Sequence, residues 1–366
     1  MIRTPIAEFS VESELLFESA AFDAPKCLVY TNFLDLNEEF GQHHLQDVYV
    51  ARAQSIPAIR VHRLPAGVRL TVCADEDFIV FLDDGRVLED QVRPYWTQQQ
   101  IDSVVAGARC DVGVEREVVL VARYGLRTWG HWLCELLPKV ICVEAAYPGR
   151  FSYVVPESLI TDTVYLRPMR QSLAAYGIGR ERLFPIRAGE TYRLEKLFAV
   201  SPIWFPHHAL HPTVAALMRK LIASDHGQRG FFGKGIALLR RESTTRNLVN
   251  ADEICEYLQL NKWSIVEIAT LDFMDQVRIF AEAEGVVSVL GSGLAGLIYS
   301  PLGLNVLTLA PNNWGDLFFY SLMQERRARL ADIRGFSLGS NSDEAALMPF
   351  RVRIADLEAG LNALGC

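Results

Sequence analysis

A histidine and a glutamate lie four residues apart in an otherwise apolar stretch of the sequence. In RTWGHWLCELLPKV, residues 127–140, these two are His131 and Glu135, and on a helix they share one face. A paired imidazole and carboxylate can tune each other's pKa and act as an oriented acid or base. The alternative is a structural helix that packs its Leu and Trp side chains, with His131 capping or hydrogen-bonded and Glu135 solvated. Pro138 is expected to kink or break this helix.

A run of small residues follows the apolar segment GVVSVL, residues 285–290. Gly291, Ser292 and Gly293 lead into a predicted helix, where free backbone N–H groups and the helix dipole favour an anion such as phosphate. The alternative is a tight strand-to-helix turn that needs small side chains, because short glycine patterns are common.

Three arginines follow another strand-like segment, IALLR, residues 236–240. Arg240, Arg241 and Arg246 would lie near the carboxyl end of that strand, where their forked donors could bind a pyrophosphate. They could equally be solvated surface residues. Together with the glycine turn they make two anion-binding turns in one region, and the two jointly predict a nucleotide diphosphate more strongly than either alone.

Two single polar residues belong to the same region. Glu267 closes the strand-like segment WSIVEI and could accept hydrogen bonds from ribose or sugar hydroxyls, or could be a solvated strand end. Gln276 lies one turn into the next predicted helix and, taken by itself, indicates only a helix surface.

A histidine cluster in WFPHHALHP, residues 204–212, is the one pattern suggestive of a metal. His207, His208 and His211 have a compatible spacing,. No carboxylate or cysteine stands beside them, and Pro212 is typical of the first residue of a helix. We therefore expect an ordinary loop and no metal site.

The elements that must position these residues change in character along the chain. The segment up to about residue 100 is β-rich, residues 101–225 mix strands and helices, and the polar, Gly-rich residues 225–235 indicate a linker,. The last region alternates strand and helix, which predicts right-handed βαβ units around a parallel sheet. Ligands of such sheets bind beyond the carboxyl ends of the strands. The predicted strands of this region are 236–240, 263–268, 285–290 and 305–310.

Composition excludes several classes of protein. The chain has 366 residues, 22% of them charged, and a net charge of −8, which disfavours general nucleic-acid binding. The N-terminus lacks the apolar core of a secretory signal, and no apolar run approaches the ~20 residues of a membrane span. Seven scattered cysteines without a Cys-x-x-Cys pair favour reduced thiols and a cytoplasmic location.

The order of the motifs resembles glycosyltransferase family 61. The resemblance covers about residues 100–315 and rests on WGHWLCELLPK, RRESTTRNLVNADEI and the stretch from VEIATLDFMDQ to VLTLAP. The family includes bacterial capsular-polysaccharide-type transferases, plant core xylosyltransferases and the O-GlcNAc transferases of EGF domains. The resemblance implies an α/β, GT-B-like fold of two Rossmann-like lobes after a β-rich N-terminal segment. It also implies inverting, metal-independent transfer from a nucleotide sugar, with a UDP-sugar as the expected donor.

The resemblance also assigns residues. The family's Gly-His-Trp stretch, with its acid and proline, matches Gly130, His131, Trp132, Glu135 and Pro138. Its Arg-rich segment ending in Asn matches Arg240, Arg241, Arg246 and Asn250. Its helix glutamine matches Gln276, and its small-residue turn matches Gly291, Ser292 and Gly293.

Three positions depart from the family pattern. The family usually has His where this chain has Leu290, often Asn in place of Gly296, and commonly Glu in place of Ala251. Loss of the histidine removes a phosphate or sugar contact and is compatible with altered donor choice or lost activity.

These observations predict two domains and a division of labour. Residues 1–225 would form the acceptor side, and residues 226–366 a Rossmann-like nucleotide-sugar lobe with a C-terminal helix. Glu135, oriented by His131, would deprotonate an acceptor hydroxyl that attacks C1 of the donor sugar. Arg240, Arg241 and the glycine turn would stabilise the departing diphosphate, as a metal does in other transferases. Arg246, Glu267 and Gln276 complete the predicted donor site.

The expected partners are a nucleotide-sugar donor and a glycan or polysaccharide acceptor, as in capsule synthesis, with no cofactor and no nucleic acid. A peripheral place in a membrane assembly complex is a further partner to consider. The alternative function is a catalytically inactive, nucleotide- or glycan-binding scaffold in polysaccharide assembly, which Leu290 favours. A third is a different sugar chemistry on the same fold, such as epimerisation. Donor sugar, acceptor and linkage stay open.

Overall fold

The fold is mixed α/β with several sheets, and it divides into two compact units. A computed structural model describes residues 1–32, 52–74, 77–93, 95–109, 112–204, 210–224, 235–239, 245–312, 314, 318–338 and 348–366. The first unit comprises Met1–Ala20, Pro57–Trp204 and Ala216–Leu221, and the second Ala21–Ile56, Phe205–Ala215 and Ile222–Cys366. The GT-B arrangement and the predicted domain boundary after residue 225 stay predictions.

Strands are numbered in chain order through the described residues. They are β1 Ile2–Thr4, β2 Glu12–Phe17, β3 Ala20–Ala24, β4 Leu28–Thr31, β5 Arg52–Ile56, β6 Ile59–Arg63, β7 Val68–Ala74, β8 Asp77–Phe81, β9 Arg86–Leu88, β10 Val112–Val114, β11 Val118–Leu120, β12 Ser152–Pro156, β13 Leu183–Ile186, β14 Thr191–Leu194, β15 Leu197–Val200, β16 Gly235–Leu238, β17 Trp263–Ile265, β18 Gly285–Val289, β19 Asn305–Pro311, β20 Arg329–Ser337 and β21 Phe350–Arg351.

Helices are named by their residues. The α-helices are Ile6–Phe9, Gln98–Gly107, Trp129–His131, Leu137–Ala146, Glu157–Thr161, Arg167–Ala175, Pro212–Ser224, Ala251–Leu260, Phe273–Glu282, Tyr320–Glu325 and Ile354–Leu364; Trp132–Leu136 is π-helical; and Glu89–Gln91, Arg180–Arg182, Ile268–Thr270 and Ser292–Tyr299 are 3₁₀-helical.

The first unit is built on two six-stranded sheets, ordered β1-β9-β8-β7-β14-β10 and β13-β12-β11-β15-β6-β2. One core cluster joins them, with Val68 and Leu70 from the first sheet and Leu120 and Val154 from the second, all buried. Alternating apolar residues along each strand put one set of side chains on the shared face. The predicted β-rich start of the chain is confirmed.

The second unit is built on a mainly parallel sheet ordered β17-β16-β18-β19-β20-β21, in which β4 also pairs with β20. The parallel pairing of β16 through β20 confirms the prediction for this region. The place of β4 was not predicted. Asn32, next to β4, exchanges two hydrogen bonds with the backbone of Arg334 in β20, at 3.0 and 2.7 Å, and so extends the pairing by one side chain.

The helix Ala251–Leu260 follows Asn250 directly. Asn250 makes no side-chain cap. Its amide nitrogen instead donates to the carboxylate of Glu253 at 2.9 Å and to the carbonyl of Val352 at 2.8 Å. The residue therefore ties the helix start to the chain beyond β21, a long-range contact that a local capping pattern does not show.

Two general expectations bear on the class of protein. No helix in the described part of the chain is long and apolar enough to cross a membrane. None of the cysteines that the structure describes forms a disulfide, and Cys110 lies outside the described residues.

Candidate active site

His131 and Glu135 are in direct contact in the first unit. Nδ1 of His131 lies 2.6 Å from Oε1 of Glu135. An ionised carboxylate can only accept a hydrogen bond, so the proton of a neutral His131 ring lies on Nδ1. Nε2 is then the ring nitrogen that can take up a proton. The predicted pairing of the two residues on one helical face is confirmed.

The second oxygen of Glu135 is held by an arginine that the sequence did not single out. Nη1 of Arg123, which follows β11, donates to Oε2 of Glu135 at 2.5 Å. The other terminal nitrogen of Arg123 donates to the hydroxyl of Tyr124 at 2.7 Å. Both carboxylate oxygens of Glu135 are therefore engaged.

Glu135 is buried, with 8% of its side chain exposed against 38% for His131. Burial by itself raises the pKa of Glu135, but the hydrogen bond with His131 and the charge of Arg123 outweigh it, so that this pKa is lowered. The carboxylate is thus a fixed, weakly basic anion. The alternative in which Glu135 is merely solvated is wrong, because the fold surrounds it with donors.

The helix geometry fixes this pair. Trp132–Leu136 forms a π-helical turn, closed by a hydrogen bond from the Leu137 N–H to the Trp132 carbonyl, and such turns recur at functional sites. Pro138 does not break the helix, because it lies in the first turn of Leu137–Ala146, where a missing N–H is tolerated. The indole N–H of Trp132 donates to Ser172 Oγ at 2.9 Å, which anchors the turn to a neighbouring helix.

Gly125 sets the position of the imidazole from the other side. Its φ of +80° favours glycine, and a Cβ there would lie 3.0 Å from Cδ2 of His131. A larger residue at this position would therefore push the ring away from its partner. Gly125 belongs to the site although it carries no side chain.

Lys139 is a third polar residue on the same helical face, four residues after Glu135, and it is 6% exposed. Burial and the charge of Arg123 lower the pKa of Lys139 to about 8, against the opposing charges of Asp90 and Glu135. The four-residue spacing of His131, Glu135 and Lys139 could have identified Lys139 as a site residue from the sequence. No comparable local pattern marks Arg123 or Gly125, whose roles depend on how distant segments pack.

The predicted anion-binding turn lies in the second unit, after β18. Gly291 precedes the 3₁₀ helix Ser292–Tyr299, so the turn enters a 3₁₀ helix and not the expected α-helix. Ser292 and Gly293 are partly exposed. The turn therefore keeps two small, accessible residues at the carboxyl end of a buried parallel strand.

Arg246 is brought to this turn. Its Nε donates to the carbonyl of Leu290 at 3.1 Å, and its guanidinium lies 4.7 Å from the centre of the Trp314 ring. The predicted neighbourhood of the arginine segment and the glycine turn is thus observed for Arg246. Arg240 and Arg241 lie outside the described residues.

Glu267 and Gln276 occupy different environments beside the turn. Glu267 is exposed just after β17. Gln276 is buried, and its amide nitrogen donates to the carbonyls of Ile268 and Leu271 at 3.3 and 3.2 Å. Ile268 is also the side chain nearest to where a Cβ of Gly293 would lie, at 3.7 Å. Gln276 therefore holds the segment beside the turn, and its amide nitrogen is committed to that segment.

Two of the family departures have structural consequences. Leu290 is fully buried, and its N–H donates to the carbonyl of Leu309. A Cβ on Gly296 would lie 2.0 Å from the Phe280 ring, so no side chain, including the family's Asn, fits beside that phenylalanine. Ala251, the third departure, is a buried residue in the first turn of its helix.

The structure describes only one of the three histidines of the predicted cluster. His207 and His208 lie outside the described residues. His211 is buried, and its Nδ1 accepts a hydrogen bond at 3.2 Å from the N–H of Thr213, the second residue of the helix that begins at Pro212. Among the residues that the structure describes, no group of three His, Cys, Asp or Glu side chains is placed to hold a metal ion. Metal independence stays a prediction.

Comparisons with known proteins bear on this region of the chain. No curated protein matches the sequence. Among solved structures, the E. coli heptosyltransferase WaaC with ADP is similar at 12% identity over 68% of this chain and 99% of that chain, with a TM-score of 0.32, too low to assign the fold. The family model for glycosyltransferase 61 matches residues 129–307. This match confirms the resemblance to glycosyltransferase family 61 indicated by the motifs, over the region from Trp129 to Leu307 that holds His131, Glu135 and the glycine turn.

Proposed function

We propose that this glycosyltransferase moves a sugar from a nucleotide-sugar donor, with UDP as the expected nucleotide, to a hydroxyl of a glycan or polysaccharide acceptor. The proposed reaction inverts the anomeric centre and needs no metal. The hydroxyl oxygen attacks C1 of the donor sugar, the bond from C1 to the diphosphate breaks, and the hydroxyl proton passes to a base on the protein.

The observation that carries the proposal is the buried contact of His131 and Glu135. A base must reach the acceptor hydroxyl, and His131 is the more exposed of the two. Glu135 has both oxygens engaged and a lowered pKa. The geometry therefore favours His131 Nε2 as the base and Glu135 as the group that orients the ring and stabilises its protonated form. This reverses the division of roles expected from the sequence.

The donor side of the proposal is supported by the second unit. Arg246 reaches the carbonyl that precedes the glycine turn, and the turn stands at the carboxyl end of β18, where parallel sheets bind ligands. We propose that Arg246, the backbone of the turn, Arg240 and Arg241 share the charge of the departing diphosphate. Glu267 is proposed to accept hydrogen bonds from the ribose or sugar, and Gln276 to position its segment.

The direct experiment is a donor screen. Purified protein is incubated with nucleotide sugars, with and without a pool of glycan acceptors, and released nucleoside diphosphate is measured. The proposal predicts release with at least one donor, and product of inverted configuration when an acceptor is present. A folded protein that binds a nucleotide sugar but releases no diphosphate with any donor–acceptor pair would favour the non-catalytic scaffold.

A further inference from the structure

A cavity of about 410 Å³ in the first unit is lined by charged and aromatic residues close to the candidate base. Its volume is in the range of small-molecule sites, roughly 300–1,000 Å³. Arg123, which binds Glu135, and Lys139, one helical turn beyond Glu135, both line it. The cavity therefore borders the machinery proposed to activate the acceptor.

Lys139 is a buried cationic residue of the cavity lining. It is 6% exposed, and the carboxylates of Asp90 and Glu135 attract its ammonium while Arg123 repels it. A buried ammonium is costly unless it is hydrogen-bonded and paired. The cavity supplies the space in which a ligand can meet that need.

Two buried polar atoms on the cavity-lining residues lack hydrogen-bond partners within the described part of the chain. Nε of Arg123 and Oδ2 of Asp90 are buried and have no hydrogen-bond partner among the described residues. Buried polar atoms without partners are rare in folded proteins and call for an explanation. Lys139 and Arg123 carry hydrogen-bond donors, and Asp90 carries an acceptor. Around one cavity, these groups match a ligand that has both an anionic oxygen and a hydroxyl.

Charge and shape narrow the class of that ligand. Arg3, Arg123 and Lys139 contribute three positive charges to the lining, and Glu89 and Asp90 two negative ones. Because the charge of Arg123 is already paired with Glu135, the lining suits a monoanion better than a phosphate dianion, which the two lining carboxylates would repel. Tyr124 and Trp204 also line the cavity and offer apolar faces to a sugar ring.

We propose that this cavity is an acceptor subsite for a uronic acid, in which Lys139 and Arg123 bind the sugar carboxylate and Asp90 accepts a hydrogen bond from a sugar hydroxyl. The assignment rests on the proposed transferase function, because it takes the ligand as part of the acceptor. Lys139 would make the enzyme select acidic glycans over neutral ones.

The test is a binding experiment that needs neither donor nor transfer. Methyl β-D-glucuronide, methyl β-D-glucoside and glucose 6-phosphate are titrated calorimetrically into wild-type protein, Lys139→Met and Lys196→Met. Lys196 is an exposed lysine that lines a different cavity of the same unit, so its variant controls for general loss of charge.

The wild type should bind the glucuronide at least tenfold more tightly than the glucoside, which is the scale of one charge-assisted hydrogen bond. Lys139→Met should remove that preference, and Lys196→Met should keep it. Equal binding of acid and neutral sugar, no binding of the acid, or tighter binding of glucose 6-phosphate would overturn the assignment.

A second measurement covers the case in which Lys139→Met does not fold. The ammonium faces Arg3 and Arg123 as cations and Glu89, Asp90 and Glu135 as anions, and its pKa is about 8. In the wild type, glucuronide affinity should therefore fall as pH rises from 7 to 9.5, whereas glucoside affinity should stay constant. A flat glucuronide profile would contradict the role of Lys139. Specific glucuronide binding by a protein that transfers no sugar would refute the transferase function and support the acid site.

Discussion

Nδ1 of His131 lies 2.6 Å from Oε1 of Glu135, and the π-helical turn Trp132–Leu136, which contains Glu135, begins directly after His131. The contact places a buried carboxylate behind a half-exposed imidazole, while Arg123 occupies the second oxygen of that carboxylate. An imidazole oriented in this way presents Nε2 away from its partner. This geometry makes His131 the better candidate for proton transfer. It also predicts that replacing Glu135 lowers the stability of the folded protein.

Glu135→Gln should lower the free energy of unfolding at pH 7 by about 3 kcal/mol, because it leaves the charge of Arg123 without its buried partner,. The lowered pKa of Glu135 means that its carboxylate contributes stability above its ordinary value of 4.5 and loses it as pH falls through the folded value,. Chemical denaturation at pH 7 and pH 4 should show a smaller gap between wild type and variant at pH 4.

Glu117→Gln is the matched control for that experiment. Glu117 pairs with Arg150 at 3.0 Å, but both side chains are substantially exposed, and exposed pairs contribute about 0–1 kcal/mol. Equal losses of unfolding free energy in the two variants would show that the burial of Glu135 does not increase its contribution to stability.

Gly296→Ala should destabilise the protein by about 1–3 kcal/mol, the usual cost of overpacking a core. The added Cβ would meet the Phe280 ring at 2.0 Å. Gly107→Ala, at the end of a helix with nothing within 4 Å of the added atom, should be neutral or slightly stabilising. Urea midpoints for the two variants provide the comparison, and an unchanged midpoint for Gly296→Ala would remove the steric explanation for its departure from the family.

Arg246→Ala should weaken the binding of UDP by about 1.5–3 kcal/mol, equivalent to tenfold or more, since it removes a forked donor beside the glycine turn. Arg351→Ala removes an exposed arginine that pairs with Glu253 and should leave UDP affinity unchanged. Calorimetry on both variants separates a local contact from general electrostatics. Equal losses, or none, would take Arg246 out of the donor site.

Sugar transfer should continue in the presence of a chelator at millimolar concentration. Arginines and backbone N–H groups are proposed to stabilise the diphosphate charge, so removing divalent cations should leave the rate within about twofold. A strict dependence on manganese or magnesium would contradict this assignment and direct attention to His207, His208 and His211.

The sequence predicted local patterns well and long-range packing poorly. The 131/135 spacing and the alternation of strands from residue 236 onward follow from periodicity, and both are observed. The joining of β4 to β20 did not follow, because about 300 residues separate Asn32 from Arg334 and no local pattern encodes such a contact.

The partners of the candidate site show the same limit. Arg123 meets Glu135 from outside the helix, and Gly125 packs on the His131 ring, so neither role is visible in residue spacing. Of the predicted kink or break at Pro138, the break was wrong, because the proline lies in the first turn of Leu137–Ala146, directly after the π-helical turn. Gln276, which indicated only a helix surface, is buried because a neighbouring loop needs its amide.

The central claim is that His131 takes the acceptor proton while Glu135 orients it. The most direct measurement is the single-turnover transfer rate of folded wild type, His131→Ala and Glu135→Gln at saturating donor, with melting temperatures recorded for each. The account predicts a loss of about 10²–10⁴-fold for His131→Ala and a smaller loss for Glu135→Gln, with donor affinity unchanged in both. A folded His131→Ala protein with the wild-type rate, or a larger loss in Glu135→Gln than in His131→Ala, would contradict it.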